Sequence, residues 1–204
     1  MLECGVMVDA ATQTMSAREF LIWCTRREGE RWELVRGVPI QIAPTQMMAG
    51  ARQRHDVIVV NLLVLLRDRL RGSGCRPHTA DFSLLTAGDE NVRRPDVLVD
   101  CGPTKPDDLT AAGPAAVFEV LSPSNANFTR FAKVDEYKAV ATLRHIAVLD
   151  SDAARLVLYS RAANDAWISE TVEGDGAVLR LSGFGVELPL AEIYADVSFE
   201  AAEG

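Results

Sequence analysis

Three carboxylic acids occupy strand-like segments at positions where a structural strand would carry apolar side chains. Glu33 lies in the segment WELV, Asp96 precedes VLVD, and Glu119 lies in AAVFEVL. An unpaired carboxylate buried in such a strand costs on the order of several kcal/mol, so each acid requires a compensating partner. Carboxylates that converge from neighbouring strands are typical of a divalent cation site, and Mg²⁺ takes oxygen ligands at about 2.1 Å. The alternative is that each carboxylate pairs with an arginine, either Arg93 or Arg94 in the case of Asp96.

A second group of chemically active side chains follows Glu119. Residues 122–124 break the strand and supply hydroxyl groups for a helix N-terminus, and Arg130, Lys133 and Tyr137 then follow at helical spacing on one face. Only three of the 21 basic residues are lysines, which draws attention to Lys133. A lysine beside a metal could orient an attacking water or stabilise a pentavalent phosphoryl group, as phosphodiester hydrolysis requires. The alternative is an ordinary solvent-exposed helix face.

The N-terminal half contains the elements that must position the first acids. A capping box formed by Ser16 and Glu19 begins a helix that is predicted to end near Gly29. Alternating apolar residues around a turn at Gly37 predict a two-stranded hairpin. Apolar residues at helical spacing then predict a long helix over residues 48–70, with arginines in its last turn.

The rest of the chain is predicted to be mostly strand, with one helix over residues 124–140. The predicted strands cover residues 75–85, 92–101, 115–121, 144–150, 155–161, 165–172, 177–181 and 184–190. The last four are separated by short turns and read as an antiparallel meander. We therefore expect one α/β or α+β sheet domain over residues 17–204, after a loose leader of residues 1–16.

Composition excludes several classes of protein. The longest apolar stretch in the 204 residues, 57–66, is shorter than the roughly 20 residues of a membrane helix, and the N-terminus lacks a secretory pattern. We expect a cytoplasmic protein with no membrane partner. The net charge of −8 opposes attraction to a polyanion, so nucleic-acid binding would require a local basic patch. Four cysteines without metal-binding spacing are expected to be reduced thiols, namely Cys4, Cys24, Cys75 and Cys101.

Several motifs occur together in a characteristic order. They are WELVRG, a histidine at position 55 in the long helix, RPD ending at Asp96, FEVLSPS around Glu119, and K-x-x-x-Y formed by Lys133 and Tyr137. In this order the chain resembles the Uma-type restriction endonuclease family, which belongs to the PD-(D/E)XK nuclease superfamily. The resemblance implies a restriction-endonuclease-like mixed sheet core with flanking helices. It also implies Mg²⁺-dependent hydrolysis of DNA phosphodiester bonds, with Mn²⁺ as an alternative metal, and a homodimer.

The resemblance also implies roles for individual residues. Asp96 and Glu119 would be metal ligands, with the backbone carbonyl of Val120 as a third ligand. The superfamily pattern places a lysine two positions after the second acid, where this chain has Leu121. Lys133 on the following helix matches the relocated lysine of the family and would position the nucleophile.

Other candidate residues would line the pocket or contact DNA. Glu33 and His55 would line the pocket beside the catalytic groups, while His78 and His145 have no counterpart. The candidate residues for substrate and phosphate contacts are Arg52, Arg54, Arg130 and Tyr137, together with Lys133, and the tyrosine would act mainly by position.

Three residues depart from the pattern of the family. Thr129 replaces an aspartate before the lysine, and Arg36 and Val38 replace acidic residues around the hairpin glycine. These changes affect groups that surround the metal ligands, which tune a site's activity. Two other functions stay open. One is a catalytically silent nuclease-fold domain that dimerises or binds nucleic acid, which the acidic net charge and Thr129 favour. The other is a metal-dependent hydrolase of a different phosphate ester, which would use the same metal ligands.

Overall fold

A computed structural model describes residues 14–42, 49–86, 88–121 and 132–199 of the protein. The helices are α1 (Ala17–Cys24), α2 (Ala49–Arg69), α3 (Val134–Lys138) and α4 (Leu190–Ile193). The strands are β1 (Trp32–Val35), β2 (Val38–Gln41), β3 (Arg76–Thr79), β4 (Leu84–Thr86), β5 (Asn91–Arg93), β6 (Val97–Asp100), β7 (Pro114–Leu121), β8 (His145–Asp150), β9 (Arg155–Arg161), β10 (Trp167–Glu173), β11 (Val178–Leu181) and β12 (Val186–Pro189).

The strands form a large mixed sheet and two smaller sheets. The large sheet has six strands in the order β10-β9-β8-β7-β6-β3, and the others have the orders β2-β1-β5-β4 and β11-β12. β7 and β8 run parallel, and their connection contains α3, as parallel neighbours require a crossover. This architecture confirms the predicted mixed α/β core with flanking helices and C-terminal antiparallel strands.

Both faces of the large sheet are covered by apolar side chains. The buried residues of α2, α4, β11 and β12 pack on one face, against strand residues such as Phe118 and Val120. On the other face, Val134 and Tyr137 of α3 pack against Leu98 and Val117. Since side chains alternate along a strand, Glu119 lies on the same face as Val117 and is directed towards α3.

The N-terminal elements agree closely with the sequence pattern. The Ser16 hydroxyl accepts the backbone N–H of Glu19, and the Glu19 carboxylate accepts the N–H of Ser16, so the predicted capping box is present. α1 ends at Cys24, earlier than predicted. The hairpin turn lies at Arg36 and Gly37, whose φ angles of 51° and 75° are typical of a two-residue type I′ turn.

Two predicted strands are each divided in the structure. Residues 75–85 form β3 and β4, and residues 92–101 form β5 and β6, and in both cases the two pieces belong to different sheets. In the second case the division lies at Pro95, which has no N–H to donate to a sheet. The chain therefore passes from the four-stranded sheet to the six-stranded sheet immediately before Asp96.

The structure corrects the expectation of four reduced thiols. Cys75 and Cys101 form a disulfide bond with their Cα atoms 4.1 Å apart, whereas Cys24 is free. The reason is the register of β3 and β6, in which Arg76 pairs with Asp100. One step further along this antiparallel pair places the two cysteines opposite each other, at the Cα separation of closely spaced partners. Cys4 lies outside the described residues.

Two further expectations fall partly outside the described residues. Of the leader, residues 1–13 are not described, and the N–H of Met15 donates to the carbonyl of Gly37 at 2.8 Å. Of the helix predicted over 124–140, the segment Val134–Lys138 is helical, and residues 122–131 are not described.

Within the described ranges, no helix has the length and apolar character needed to cross a membrane.

Candidate active site

Strand register sets two of the predicted acids opposite each other and the third opposite an arginine. Val97 of β6 pairs with Phe118 of β7, and extending this register by one residue sets Asp96 opposite Glu119. Directly opposed side chains have Cβ atoms roughly 5 Å apart, and opposed like charges are unfavourable without a compensating cation. Leu34 of β1 pairs with Val92 of β5, so the same extension sets Glu33 opposite Arg93.

Asp96 is held by a backbone amide and a histidine. Its Oδ2 atom accepts the N–H of Val120 at 2.8 Å and lies 3.2 Å from Nε2 of His55. Neither Arg93 nor Arg94 forms an ion pair with Asp96 in the described part of the chain. Arg93 binds other carboxylates, and the Arg94 guanidinium donates to the backbone carbonyls of residues 32, 80 and 81. Among the described residues, Asp96 therefore has no arginine partner.

Lys133 connects two of the acids. Its Nζ atom lies 2.9 Å from Oε1 of Glu33 and 3.4 Å from Oε1 of Glu119. The hydroxyl of Tyr137 donates to the same Glu119 oxygen at 2.5 Å. The two residues lie one helical turn apart, so one face of the helical segment supplies both contacts. Tyr137 is fully buried and therefore contacts Glu119 from the interior of the fold.

Sequence reasoning missed Glu136 and gave Arg93 only as a possible partner of Asp96. Arg93 is almost completely buried, and its guanidinium binds Glu33 at 3.0 Å and both carboxylate oxygens of Glu136. Thr86 also donates to Glu136, at 3.1 Å. The sequence signal that could have revealed this pair is an arginine in the strand before RPD and a glutamate three residues after Lys133.

Burial and neighbouring charges shift the proton equilibria of the site. Desolvation, opposed by Lys133 and reinforced by Asp96, raises the pKa of Glu119 to about 7. Burial disfavours the charged form of Lys133, but the charges of Glu119 and Glu33 outweigh it and raise the pKa of the amine. Burial likewise opposes protonation of His55, yet the hydrogen bond and charge of Asp96 raise the pKa of the imidazole above its usual value.

The pKa shift of Glu119 gives a testable pH dependence. Because the folded-state pKa of about 7 exceeds the ordinary value of 4.5, the folded state retains a proton that the unfolded state has lost between these limits. Its contribution to stability is full below pH 4.5 and is lost as the pH rises to about 7. In metal-free buffer, we expect the free energy of unfolding of the wild type to fall relative to that of Glu119→Gln over this range.

Urea titrations of both proteins at closely spaced pH values would measure this difference. Comparison with the glutamine variant cancels most of the contribution of His55, which acts in the same direction at higher pH. Parallel pH profiles for the two proteins would contradict the assigned shift.

The donor set suits a hard cation that keeps water ligands. No hydrogen bond from a described residue reaches Oδ1 of Asp96 or Oε2 of Glu119. Among the described side chains, no group of three or more His, Cys, Asp or Glu residues forms a ready-made metal cluster. A cation would therefore depend on two carboxylates, the carbonyl of Val120 and water, which matches the preference of Mg²⁺ for oxygen ligands and retained water.

The charges of the group favour a cation as well. Among the described side chains, and leaving out His55, the site contains four carboxylates and two cations, namely Glu33, Asp96, Glu119 and Glu136 against Arg93 and Lys133. When all four acids are ionised, the excess of two negative charges equals the charge of one divalent cation.

The structure describes only some of the candidate DNA-contacting residues. Arg54 of α2 forms an ion pair with Asp152 at 2.9 Å, and its side chain is 24% exposed. Arg52 belongs to the same helix, but its side chain is outside the described part of the structure, as is all of Arg130. His78 stacks on Phe82 and lies outside the group around Lys133.

His145 also lies outside this group. Its ring nitrogens contact the hydroxyl of Ser160 at 3.1 Å and the carbonyl of Ser182 at 2.7 Å. These are the contacts of a satisfied core histidine.

Comparisons with known proteins identify the family and a similar fold. The family model described as "Uma2: Putative restriction endonuclease" matches residues 17–191. An "Uncharacterized protein sll1609" from Synechocystis is 27% identical over 180 residues, which cover 87% of this chain and 98% of the relative. A crystal structure titled as a putative nuclease belonging to DUF820, from Anabaena variabilis, superposes with a TM-score of 0.66 at 15% identity. The superposed region covers 88% of this chain and 97% of the neighbour. Because this match spans most of the chain, the chain belongs to the Uma2 family, whose description is "Putative restriction endonuclease".

Proposed function

We propose that the protein is a Mg²⁺-dependent endonuclease that hydrolyses DNA phosphodiester bonds. The observation that carries the proposal is the position of Asp96, immediately before β6, opposite Glu119 of β7 when the strand register is extended by one residue, with Lys133 beside Glu119 at 3.4 Å. Two acids and a lysine at one end of adjacent strands are the groups that metal-assisted phosphodiester hydrolysis needs. Membership of a nuclease family supports the same reaction.

Each side chain of the site has a separate task. A bound Mg²⁺ would polarise the phosphate and acidify a coordinated water, and Asp96, Glu119 and the carbonyl of Val120 would hold it. Lys133 would orient the attacking water and neutralise charge that develops on the phosphoryl oxygens. Glu33 fixes the lysine at 2.9 Å, while the hydroxyl of Tyr137 fixes Glu119 at 2.5 Å.

DNA binding would rely on local positive charge. The net charge of −8 opposes long-range attraction, so Arg52, Arg54, Arg130 and Lys133 are the proposed phosphate contacts. Binding should weaken as salt is added, because each such contact releases counterions. The homodimer remains a prediction from the family resemblance, and light scattering coupled to size exclusion would measure it.

The wild-type protein provides the direct test of this function. We expect Mg²⁺ to raise the melting temperature and to permit nicking of supercoiled plasmid, with EDTA abolishing both effects. At a metal concentration of 100 times the dissociation constant, binding stabilises the folded state by about 2.7 kcal/mol. Mn²⁺ should substitute for Mg²⁺, and Ca²⁺ serves as a control for binding without efficient turnover.

The outcomes separate the proposed enzyme from its alternatives. Stabilisation by Mg²⁺ and DNA binding without nicking would favour a catalytically silent domain. Hydrolysis of a small phosphodiester substrate without DNA cleavage would favour a hydrolase of another phosphate ester. No thermal response to Mg²⁺ or Mn²⁺ would contradict the metal site itself.

A further inference from the structure

A buried arginine lies behind the candidate active site and takes no part in the chemistry proposed above. Arg93 is 1% exposed and is one of the largest fully buried side chains of the described fold. A buried guanidinium is costly unless its donors are paired, so its position requires specific partners.

The partners of Arg93 belong to two different elements. Nη1 donates to Oε2 of Glu33 on β1 at 3.0 Å. Nε donates to Oε2 of Glu136 on α3 at 2.8 Å, and Nη2 donates to Oε1 of the same residue at 2.5 Å. One side chain from β5 therefore connects the hairpin strand to the helix.

Both connections lead to Lys133. The two carboxylate oxygens of Glu33 bind different partners. Oε2 accepts a hydrogen bond from Arg93, and Oε1 accepts one from the Lys133 amine at 2.9 Å. Glu136 follows Lys133 by three residues and lies one helical turn further along the same segment. Arg93 thus holds both the carboxylate that receives the lysine and the helix that presents it.

We propose that Arg93 is a positioning residue that holds Lys133 between Glu33 and Glu119 by bridging Glu33 and Glu136. The role requires an arginine, since a planar guanidinium can bind two carboxylates in a fixed geometry and a lysine ammonium cannot reproduce that fork. The consequence for DNA cleavage rests on the proposed function, whereas the placement of Lys133 does not.

Chemical labelling of lysine tests the placement without any nuclease assay. The chain has three lysines, and Lys105 is exposed and serves as an internal reference. Brief acetylation of the folded, metal-free protein, followed by peptide mass spectrometry, gives the ratio of labelling at Lys133 to that at Lys105. We expect Arg93→Gln to raise this ratio about tenfold, which corresponds to the loss of one charge-assisted hydrogen bond.

A second arginine, whose side chain is mostly buried, provides the matched control. The side chain of Arg161 is 10% exposed and donates to the backbone carbonyls of Lys138, Val140 and Leu143, without contacting Glu33 or Glu136. Arg161→Gln removes a comparable guanidinium near the end of α3 and should leave the labelling ratio unchanged. Glu136→Gln should raise the ratio, and it replaces Arg93→Gln if that variant does not fold.

Kinetics on plasmid DNA supply the functional measurement. Misplacement of Lys133 should lower kcat about 100-fold and leave KM within about twofold, because the lysine acts on the transition state. An increased labelling ratio together with an inactive wild type would support the placement and contradict the proposed function. A labelling ratio that is the same in the wild type, Arg93→Gln and Glu136→Gln would overturn the placement.

Discussion

Replacement of Asp96 with asparagine is expected to reduce Mg²⁺-dependent DNA cleavage by about 1,000-fold or more, which corresponds to roughly 4 kcal/mol of lost transition-state stabilisation. Asparagine preserves the size of the side chain and an oxygen that can accept the N–H of Val120, which Asp96 binds at 2.8 Å. It removes the negative charge that faces Glu119 across β6 and β7. The loss should therefore be one of metal binding and not of folding.

Initial nicking rates measure the loss of DNA cleavage, and Mg²⁺ titrations by calorimetry measure the loss of metal binding. Asp135→Asn is the matched control, because Asp135 is an 80% exposed acid on α3 that pairs with Lys138. The control should bind Mg²⁺ and cleave DNA as the wild type does. An Asp96→Asn protein with unchanged Mg²⁺ affinity would remove this residue from the metal site.

Replacement of Lys133 with glutamine is expected to lower kcat by about 100- to 1,000-fold, the range found when a preorganised transition-state donor is removed. Glutamine retains a hydrogen-bond donor for Glu33 but carries no charge towards the phosphate. Mg²⁺ affinity should be retained or increased, because the ammonium no longer competes with the metal for Glu119. This separation of turnover from metal binding distinguishes the lysine from the metal ligands.

Lys138→Gln on the same helix controls for the loss of a lysine. Its Nζ atom pairs with Asp135 at 3.6 Å and lies 4.7 Å from the centre of the Tyr159 ring, away from the acids of the site. Single-turnover rates at saturating Mg²⁺ should be normal in this variant. Equal rates for Lys133→Gln and Lys138→Gln would exclude the proposed role of Lys133.

Local chemistry made much of the fold predictable. The capping box at Ser16 and the turn at Gly37 depend on neighbouring residues, and both are present in the structure. The strand divisions were not predicted, because both halves of each segment have strand composition. β5 and β6 are separate strands because they pair with partners in different sheets, and this pairing depends on the tertiary structure.

The same distinction applies to the site. Glu33, Asp96, Glu119 and Lys133 could be selected because a charged residue is conspicuous in an apolar or lysine-poor context, and the structure places them together. Their catalytic roles stay predictions. Sequence reasoning missed the Arg93–Glu136 pair, because each residue is ordinary in its own segment and the pairing depends on how α3 packs against β5.

The disulfide illustrates a third kind of long-range information. A spacing of 26 residues between Cys75 and Cys101 has no meaning until Arg76 is known to pair with Asp100. General expectations from compartment and motif spacing favoured free thiols, and the strand register overrode them.

The passage of the chain from one sheet to the other just before Asp96 has a consequence for folding. The bond between Glu33 and Lys133 joins residues 100 positions apart, and that between Arg93 and Glu33 joins residues 60 positions apart. Closing such long loops costs chain entropy before any contact is gained, and high contact order slows folding. Since Glu33 and Arg93 come from the four-stranded sheet and Asp96 and Glu119 lie at the six-stranded sheet, the complete group assembles only when both sheets have docked. A fragment that contains one sheet alone would lack part of it.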